Sequence, residues 1–391
     1  MREVVILSAV RTPIGAFLGA FRDIPAHRLG AIALRAAIDR GGTTPEDIEQ
    51  VVLGSVLTAG QGQAPARQAA LGAGCPPVTG AVTVGKVCGS GMRAMMIAAN
   101  DLRCGDFRLV AAGGMESMSQ APYLAMGARA GLRLGDAKLV DSMVLDGLWD
   151  PYNDLHMGSC AELCARRYEL SREEQDDFAL ESYRRALAAT EDGSFRPEIA
   201  PVEVTIKKER RLVDRDEDPF RGDPEKARTL RPAFDPEGTV TAANASNLDD
   251  GAAALVLTTA EEAERRGKHP MARLVAQASA AQEPEWFTTA PIVAIRKVLD
   301  RAGLSVEDID LWEINEAFAL VVLACIRELD LDPGRVNVNG GAVALGHPIG
   351  ASGARIVVTL LHALEQRNLR RGCAAICIGG GEATAVVVER L

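Results

Sequence analysis

Short β-branched runs alternate with helical patterns twice along this 391-residue chain, once in each terminal third. In the first third, Val4–Ser8, Gln50–Val56, Ala81–Val84 and Leu109–Ala112 read as strands, and His27–Arg40, Ala64–Gly72 and Gly89–Arg103 as helices. The last third repeats the rhythm. Ala272–Ala278, Ile309–Ile314, Val336–Val338 and Ala374–Ile378 are strand-like; Pro291–Ala302, Glu316–Leu329 and Ser352–Arg367 are helical. Such alternation predicts βαβ units on a mainly parallel, buried sheet, hence an α/β protein.

The two thirds also share residues. Ser90-Gly91-Met92-Arg93 opens one helix and Ser352-Gly353-Ala354-Arg355 another. Each helix is followed by an apolar strand ending in glycines and a glutamate, Gly113–Glu116 in one case and Gly379–Glu382 in the other. Agreement of order and context points to a duplication, two halves packed as layered α/β/α units about a pseudo-twofold axis. Between them the character changes. Thr205–Pro232 mixes charge and proline like a solvated loop, and Ser171–Ala189 reads as a surface helix with Ser171 and Glu174 as a capping box. The expected organisation is therefore an N-terminal half over 1–118 joined by part of 252–270, an inserted loop domain over 119–251, and a C-terminal half over 271–391.

A formal net charge of −10 argues against a nucleic-acid partner. The run Val4–Val10 is too short and wrongly flanked for a signal peptide, and Ala317–Ile326 falls below the roughly 18 residues of a membrane helix. A soluble, cytoplasmic protein is expected. The eight cysteines show no framework spacing and no CxxC pair, so they are expected to be reduced, with no metal site.

A free cysteine is usually a small buried hydrophobe. Cys88, however, lies in Gly85-Lys86-Val87-Cys88-Gly89-Ser90-Gly91, at a strand-to-helix turn where helix amides are expected to lower its pKa and glycines admit a substrate. His347 lies among glycines ahead of Pro348, a candidate base, while Cys377 ends the last core strand and Asn315 follows another. Ligands of open α/β sheets gather at such strand ends.

Four signatures, VCGSGMRA around Cys88, NEAF at Asn315, GGAVALGHPIGASGAR around His347 and CIGGG at Cys377, resemble the thiolase family. So do VRTPIGAF near the start, GQAPARQAA, and AGGMESMS, so that the likeness spans almost the whole chain. It implies a layered α/β/α/β/α fold with an inserted loop domain. It also implies that Cys88 carries an acyl group, that His347 takes its proton, and that Cys377 moves a proton on and off the carbon beside a thioester. Asn315, through a water, and His347 would form one oxyanion hole, and the amides of Cys88 and Gly379 the other. Ser246 and His156 would contact pantetheine, with Leu148, Met157, Phe234, Ala242 and Phe318 as walls and Phe287 closing the acyl end. Arginines between Arg210 and Arg231 are candidates for the nucleotide phosphates.

The resemblance implies no cofactor. Acyl-CoA and CoA are the partners, as substrate and product, in a homo-oligomer that is a tetramer rather than a dimer. The His156-Met157-Gly158 motif looks like the short-chain, biosynthetic branch, which joins two acetyl-CoA into acetoacetyl-CoA and CoA; the alternative is degradative cleavage of longer 3-ketoacyl-CoA. Against the family pattern, Asn247 and Asp249 stand where many relatives have Gly and Asn, and Glu382 where a methionine is frequent.

Overall fold

Nine long strands, numbered in chain order, form the main sheet: β1 (Val4–Arg11), β2 (Gln50–Gly54), β3 (Gly80–Val84), β4 (Leu109–Ser117), β5 (Asp249–Thr259), β6 (Ala272–Ala281), β7 (Leu311–Ile314), β8 (Arg371–Ile378) and β9 (Glu382–Arg390). Their order is β7-β8-β9-β6-β1-β5-β4-β2-β3, with the short Gly15–Ala16 strand on β5. The computed structural model describes residues 2–206 and 208–391.

The sheet is two copies of one pattern. In the N-terminal half β3, β2 and β4 are parallel, and β5 and β1 follow antiparallel. In the C-terminal half β7 is parallel to β8, and β9 and β6 follow antiparallel. The copies meet at β1 and β6 through Val5↔Arg273 and Ile6↔Ala272. The expected mainly parallel sheet is thus mixed. Each half adds one strand, β5 or β9, that runs back against the crossover strands, and these two were hidden in the sequence. β5 begins at Asp249, inside the inserted loop domain expected over 119–251, and its Asp-Asp-Gly start disguises a strand buried along its whole length. The expected strand Val336–Val338 contracts to one parallel bridge, Val336↔Trp312, the C-terminal counterpart of β3.

The helices are α1 (Ala26–Arg40), α2 (Pro65–Gly72), α3 (Ser90–Cys104), α4 (Met157–Arg167), α5 (Arg172–Glu191), α6 (Ala290–Ala302), α7 (Ala319–Leu329) and α8 (Ile349–Gln366), with shorter turns between. α3 and α8 form the central layer. Residues from both, with Ile6, Val110, Leu255, Ile376 and Val386 from the two sheet halves, make one core. α8 is buried without interruption from Ile349 to Leu364, polar Ser352, Arg355, Thr359 and His362 included. α1 and α2 cover the outer face of one half and α6 and α7 that of the other, each over its own core.

The repeated glycines explain how α3 and α8 come so close. A Cβ on Gly91 would stand 2.9 Å from Ala354 N, and one on Gly353 2.6 Å from Met92 N. The contact is reciprocal, so the shared Ser-Gly motif is the pseudo-twofold contact itself. The second glycine pair is not equivalent. Gly113–Glu116 lie inside β4, whereas Gly379–Gly381 form the turn into β9, with Gly380 and Gly381 at φ 89° and 83°.

In the insertion, the capping box forms: Ser171 Oγ accepts from Glu174 N at 3.2 Å, and Glu174 Oε2 accepts from Ser171 N at 2.8 Å. The charged run expected as solvated loop starts within a hairpin, Val202–Ile206 against Glu209–Val213; of that run, Lys207 lies outside the described residues. Arg11 ties the insertion to the N-terminal half. Fully buried, it donates to Glu198 at 2.5 Å and to Asp216 at 2.6 and 2.9 Å. Its neighbours supply both negative charges, which is the condition for burying an arginine.

Candidate active site

Several loops converge on an apolar cavity of about 330 Å³. The first is the turn between β3 and α3. Val87, β-branched, sits at φ 42°, a conformation that such residues rarely adopt. Ser90 holds the turn, its Oγ accepting from Lys86 N at 2.8 Å and donating to Val87 O at 2.7 Å. Cys88 is thereby lifted out of the helix to the cavity floor. A Cβ on Gly89 would fall 2.3 Å from the Ile378 Cδ1, so glycine lets this turn rest against β8 without displacing that side chain.

The sulfur of Cys88 meets the backbone N–H groups of Gly379 and of Cys88 itself. These amides favour a thiolate, but burial outweighs them and pushes the thiol up to about 12. The expected lowering is therefore overturned: the resting nucleophile is a thiol and needs a base. Cys377, fully buried at the end of β8, is raised well above the ordinary range, first by burial and then by Cys88. Both sulfurs carry protons at rest.

His347 lies at the start of α8. Its Nδ1 is 2.6 Å from Ser352 Oγ. That hydroxyl's own proton points to Pro348 O at 2.9 Å, so Ser352 accepts and the imidazole proton sits on Nδ1. Nε2 keeps a lone pair and has no partner among the described residues. Burial, aided by the Arg355 charge, lowers the ring's pKa to about 3, so it is neutral and ready to accept a proton. Arg355 also reaches Asn315, at 3.5 Å from its Oδ1, while Asn315 Nδ2 is buried and unpartnered among the described residues. Two polar atoms left unsatisfied in a dry interior are costly unless a substrate or water meets them.

The walls come from the insertion and from the NEAF turn. His156 caps α4, its Nδ1 accepting from Gly158 N at 3.0 Å, so its Nε2 carries the hydrogen. The ring stacks on Phe234 at 4.8 Å, Phe234 meets Phe318 edge-on at 6.3 Å, and Phe318 meets Phe287 at 6.3 Å. The segment 241–248 is pinned to the same turn, Ser246 N donating to Ala317 O at 3.0 Å and Ala319 N to Asn244 O at 2.8 Å.

Cys88, His347, Gly379, Leu148, His156, Met157, Phe234, Ala242, Ser246, Phe287 and Phe318 all line this cavity. Cys377 and Asn315 lie buried behind it. Sequence reasoning missed Met118, Leu248 and Ile349, whose ordinary apolar character gave no signal, and Ser352, whose place five residues after His347 was the available clue. It left Glu382 without a role. Glu382 makes an ion pair with Lys86, joining the Gly379–Gly381 turn to the nucleophile turn. Of the arginines expected near phosphates, Arg210 pairs with Glu203, Arg211 with Glu209 and Arg228 with Asp177, and Arg215 stacks on Phe220.

Residues 4–261 match the N-terminal domain of thiolase and residues 268–390 its C-terminal domain. The chain belongs to the thiolase family. It is 52% identical to acetyl-CoA acetyltransferase 2 of Arabidopsis thaliana, over all of this chain and 98% of that one. Its fold superposes on the Bacillus anthracis acetyl-CoA acetyltransferase with a TM-score of 0.98, at 43% identity, covering all of this chain and 99% of that one. The Acat5 thiolase of Ascaris suum, solved in complex with coenzyme A, gives 0.95 at 45% identity with both chains fully covered.

Proposed function

We propose that the protein is an acetyl-CoA C-acetyltransferase, interconverting two acetyl-CoA with acetoacetyl-CoA and CoA through an acyl thioester on Cys88. One observation carries this reading: Cys88, with two amides at its sulfur, and His347, with a bare Nε2, line one apolar cavity, and the second thiol, Cys377, lies buried behind it. The names of the relatives support acetyl-CoA as substrate.

The protons then follow a closed path. Cys88 gives its proton to His347 Nε2, and the thiolate attacks the carbonyl of acetyl-CoA. The oxyanion is met by the Cys88 and Gly379 amides. On collapse Cys377 gives its proton to the departing CoA sulfur, leaving acetyl-Cys88, a Cys377 thiolate and an imidazolium. A second acetyl-CoA binds with its carbonyl toward His347 Nε2–H and a water held by the Asn315 amide. Cys377 removes its α-proton, the enolate attacks acetyl-Cys88, the new carbon–carbon bond forms, and Cys88 recovers its proton from His347. Splitting the transfer in two keeps each step within reach of one base.

The chain of His156, Phe234, Phe318 and Phe287 supports a short acyl site. Overpacking costs about 1–3 kcal/mol, so thiolysis of a medium-chain 3-ketoacyl-CoA is expected at roughly a tenth to a hundredth of the kcat/KM for acetoacetyl-CoA. Equal cleavage of an eight-carbon substrate would replace this reading with the degradative one. We place the enzyme in the cytoplasm, a reducing compartment that suits eight free cysteines. As assembly we propose a homotetramer. The exposed Tyr123, Met126, Leu132, Leu134 and Leu139, on and between the strands Tyr123–Ala125 and Leu139–Asp141, are apolar surface of the kind a partner subunit covers. Sedimentation velocity checks it.

A further inference from the structure

Two acids face each other behind His347. Asp249, the first residue of β5, is fully buried, and its Oδ2 accepts the backbone N–H of His347 at 2.8 Å. The same carboxyl lies against Gly346, whose φ of 99° and lack of a side chain let the loop rest on it; a Cβ there would be 2.2 Å from Asp249 Oδ2. The other oxygen, Asp249 Oδ1, finds no donor among the described residues. Within hydrogen-bonding reach of Asp249 is the carboxyl of Asp218, itself only 6% exposed, whose Oδ2 takes Asn247 Nδ2 at 2.7 Å.

Two carboxyl groups in contact in a buried site do not both ionise, because neither solvent nor distance relieves their repulsion. A single proton between them satisfies the orphaned Oδ1, leaves one negative charge, and keeps Oδ2 free for His347. We propose that Asp249 and Asp218 share one proton, carried on Asp249 Oδ1, and that this proton makes Asp249 a positioning residue for His347. The acidities agree. Burial and the neighbouring Asp218 raise Asp249 well above the carboxylate range, and burial raises Asp218.

The groups facing the pair set the direction of its pH response. They are Glu217 and Arg221 beside Asp218, Tyr183 from α5, Asp250 from β5, and His347. Asn247 and Arg221 favour the charge on Asp218, with Glu217 opposing it, whereas Asp250 opposes charge on Asp249. The proton therefore belongs on the side of His347 and the charge on the side of Arg221. With the proton in place, the negative charge stays one residue away from the base. Its loss at alkaline pH leaves two repelling carboxylates and puts a second negative charge beside His347.

The proposal rests on His347 acting as the base, so its test has one arm that needs no turnover. Infrared difference spectra of wild type minus Asp249→Asn at neutral pH are expected to show the band of a protonated carboxyl group, and that band should fade as wild type is taken to alkaline pH. In the thiolysis assay, Asp249→Ala is expected to lose about tenfold or more in kcat. Asp249→Asn, whose amide N–H stands where the shared proton does, should recover most of that loss. Its alkaline limb should move up by about one pH unit or more. Asp218→Asn removes the neighbouring charge that helps Asp249 hold its proton, so its alkaline limb should move to lower pH. Absence of the carboxyl band overturns the proposal, as does an alkaline limb identical in wild type and Asp249→Asn. So does a limb that shifts between K⁺ and Na⁺ at fixed ionic strength, since a cation would then hold the pair.

Discussion

The same serine does different work in the two halves. Ser90 and Ser352 open matching Ser-Gly-x-Arg motifs, and Gly91 and Gly353 meet across the pseudo-twofold contact. Ser90 clamps backbone, bonding Lys86 N and Val87 O. Ser352 clamps a side chain, taking His347 Nδ1–H while donating to Pro348 O. The helices differ to match. α8 begins at Ile349, three residues ahead of its serine, whereas Val87 at φ 42° stops α3 from starting before Ser90. One copy of the turn thus presents a thiol and the other an imidazole. A duplicated scaffold brings two unlike groups to one cavity from matching turns whose local dihedrals differ.

The largest way to break this division is to remove its reacting groups one at a time. Cys88→Ala is expected to abolish turnover, a loss of roughly 10⁴-fold or more, and with it the acetyl-enzyme formed from labelled acetyl-CoA. Cys377→Ala should lose condensation to a similar extent yet still acquire label on Cys88. Loss of label in Cys377→Ala would show that the two thiols do not divide the half-reactions. Because Cys88 is a thiol at rest, it should not be the fastest cysteine toward iodoacetamide; exposed Cys104 should compete with it, but only Cys88 should be protected by acetyl-CoA.

Next is the clamp on the base. Ser352→Ala leaves the His347 Nδ1 proton without its acceptor and frees the ring to adopt the other tautomer. A loss of about 10- to 100-fold in kcat with little change in KM is expected. The pH profile sharpens this. An imidazole lowered to about 3 stays neutral from there upward, so wild-type kcat/KM should show no acid limb near pH 6.5. The stability sign is the same. The buried neutral ring contributes fully above the unfolded value near 6.5, and that contribution falls away as the pH drops toward about 3. An acid limb at ordinary histidine pH would mean that the ring is solvated.

Much of this was readable from sequence where the signal is local. Helices α1, α3, α6 and α8 lie within three residues of their expected bounds, and eleven proposed site residues line one cavity, because glycine turns and strand ends are written in adjacent residues. What failed was non-local. Strand direction depends on β5 and β9, whose alanine-rich or acid-led sequences carry no strong strand pattern. The acidity of Cys88 depends on how deeply other segments bury it, which reversed an expectation based on the helix terminus alone. The unusual Asn247, Asp249 and Glu382 acquire meaning only from Asp218, His347 and Lys86, brought to them by the fold.

The glycine contact tests the symmetry itself. Gly91→Ala and Gly353→Ala each place a methyl group against the facing helix backbone, 2.9 and 2.6 Å from the nearest nitrogen. Backbone cannot rotate away as a side chain can, so both are expected to cost about 1–3 kcal/mol in denaturant unfolding. Similar penalties would support a reciprocal contact. A loss confined to one variant would mean that α3 and α8 share the strain unequally.

The smallest effect is expected at Glu382, where the halves are tied by charge. Its pair with Lys86 joins the glycine turn that supplies the Gly379 amide to the turn that supplies Cys88. The two side chains are 36% and 24% exposed, so water and salt screen them, and such pairs contribute about 0–1 kcal/mol. Glu382→Met removes the charge while keeping a long flexible side chain, and global stability should change by less than about 1 kcal/mol. Activity is the finer gauge. If the pair holds the Gly379 amide against the Cys88 sulfur, kcat should fall by a few-fold at low ionic strength, roughly 0.5–1 kcal/mol, and the gap between variant and wild type should close as salt is added. A deficit that persists at high salt would assign the loss to packing at the turn. No deficit at any salt would leave the two glycine-rich turns held together by α3, β8 and the covalent chain, with Glu382 as a surface charge.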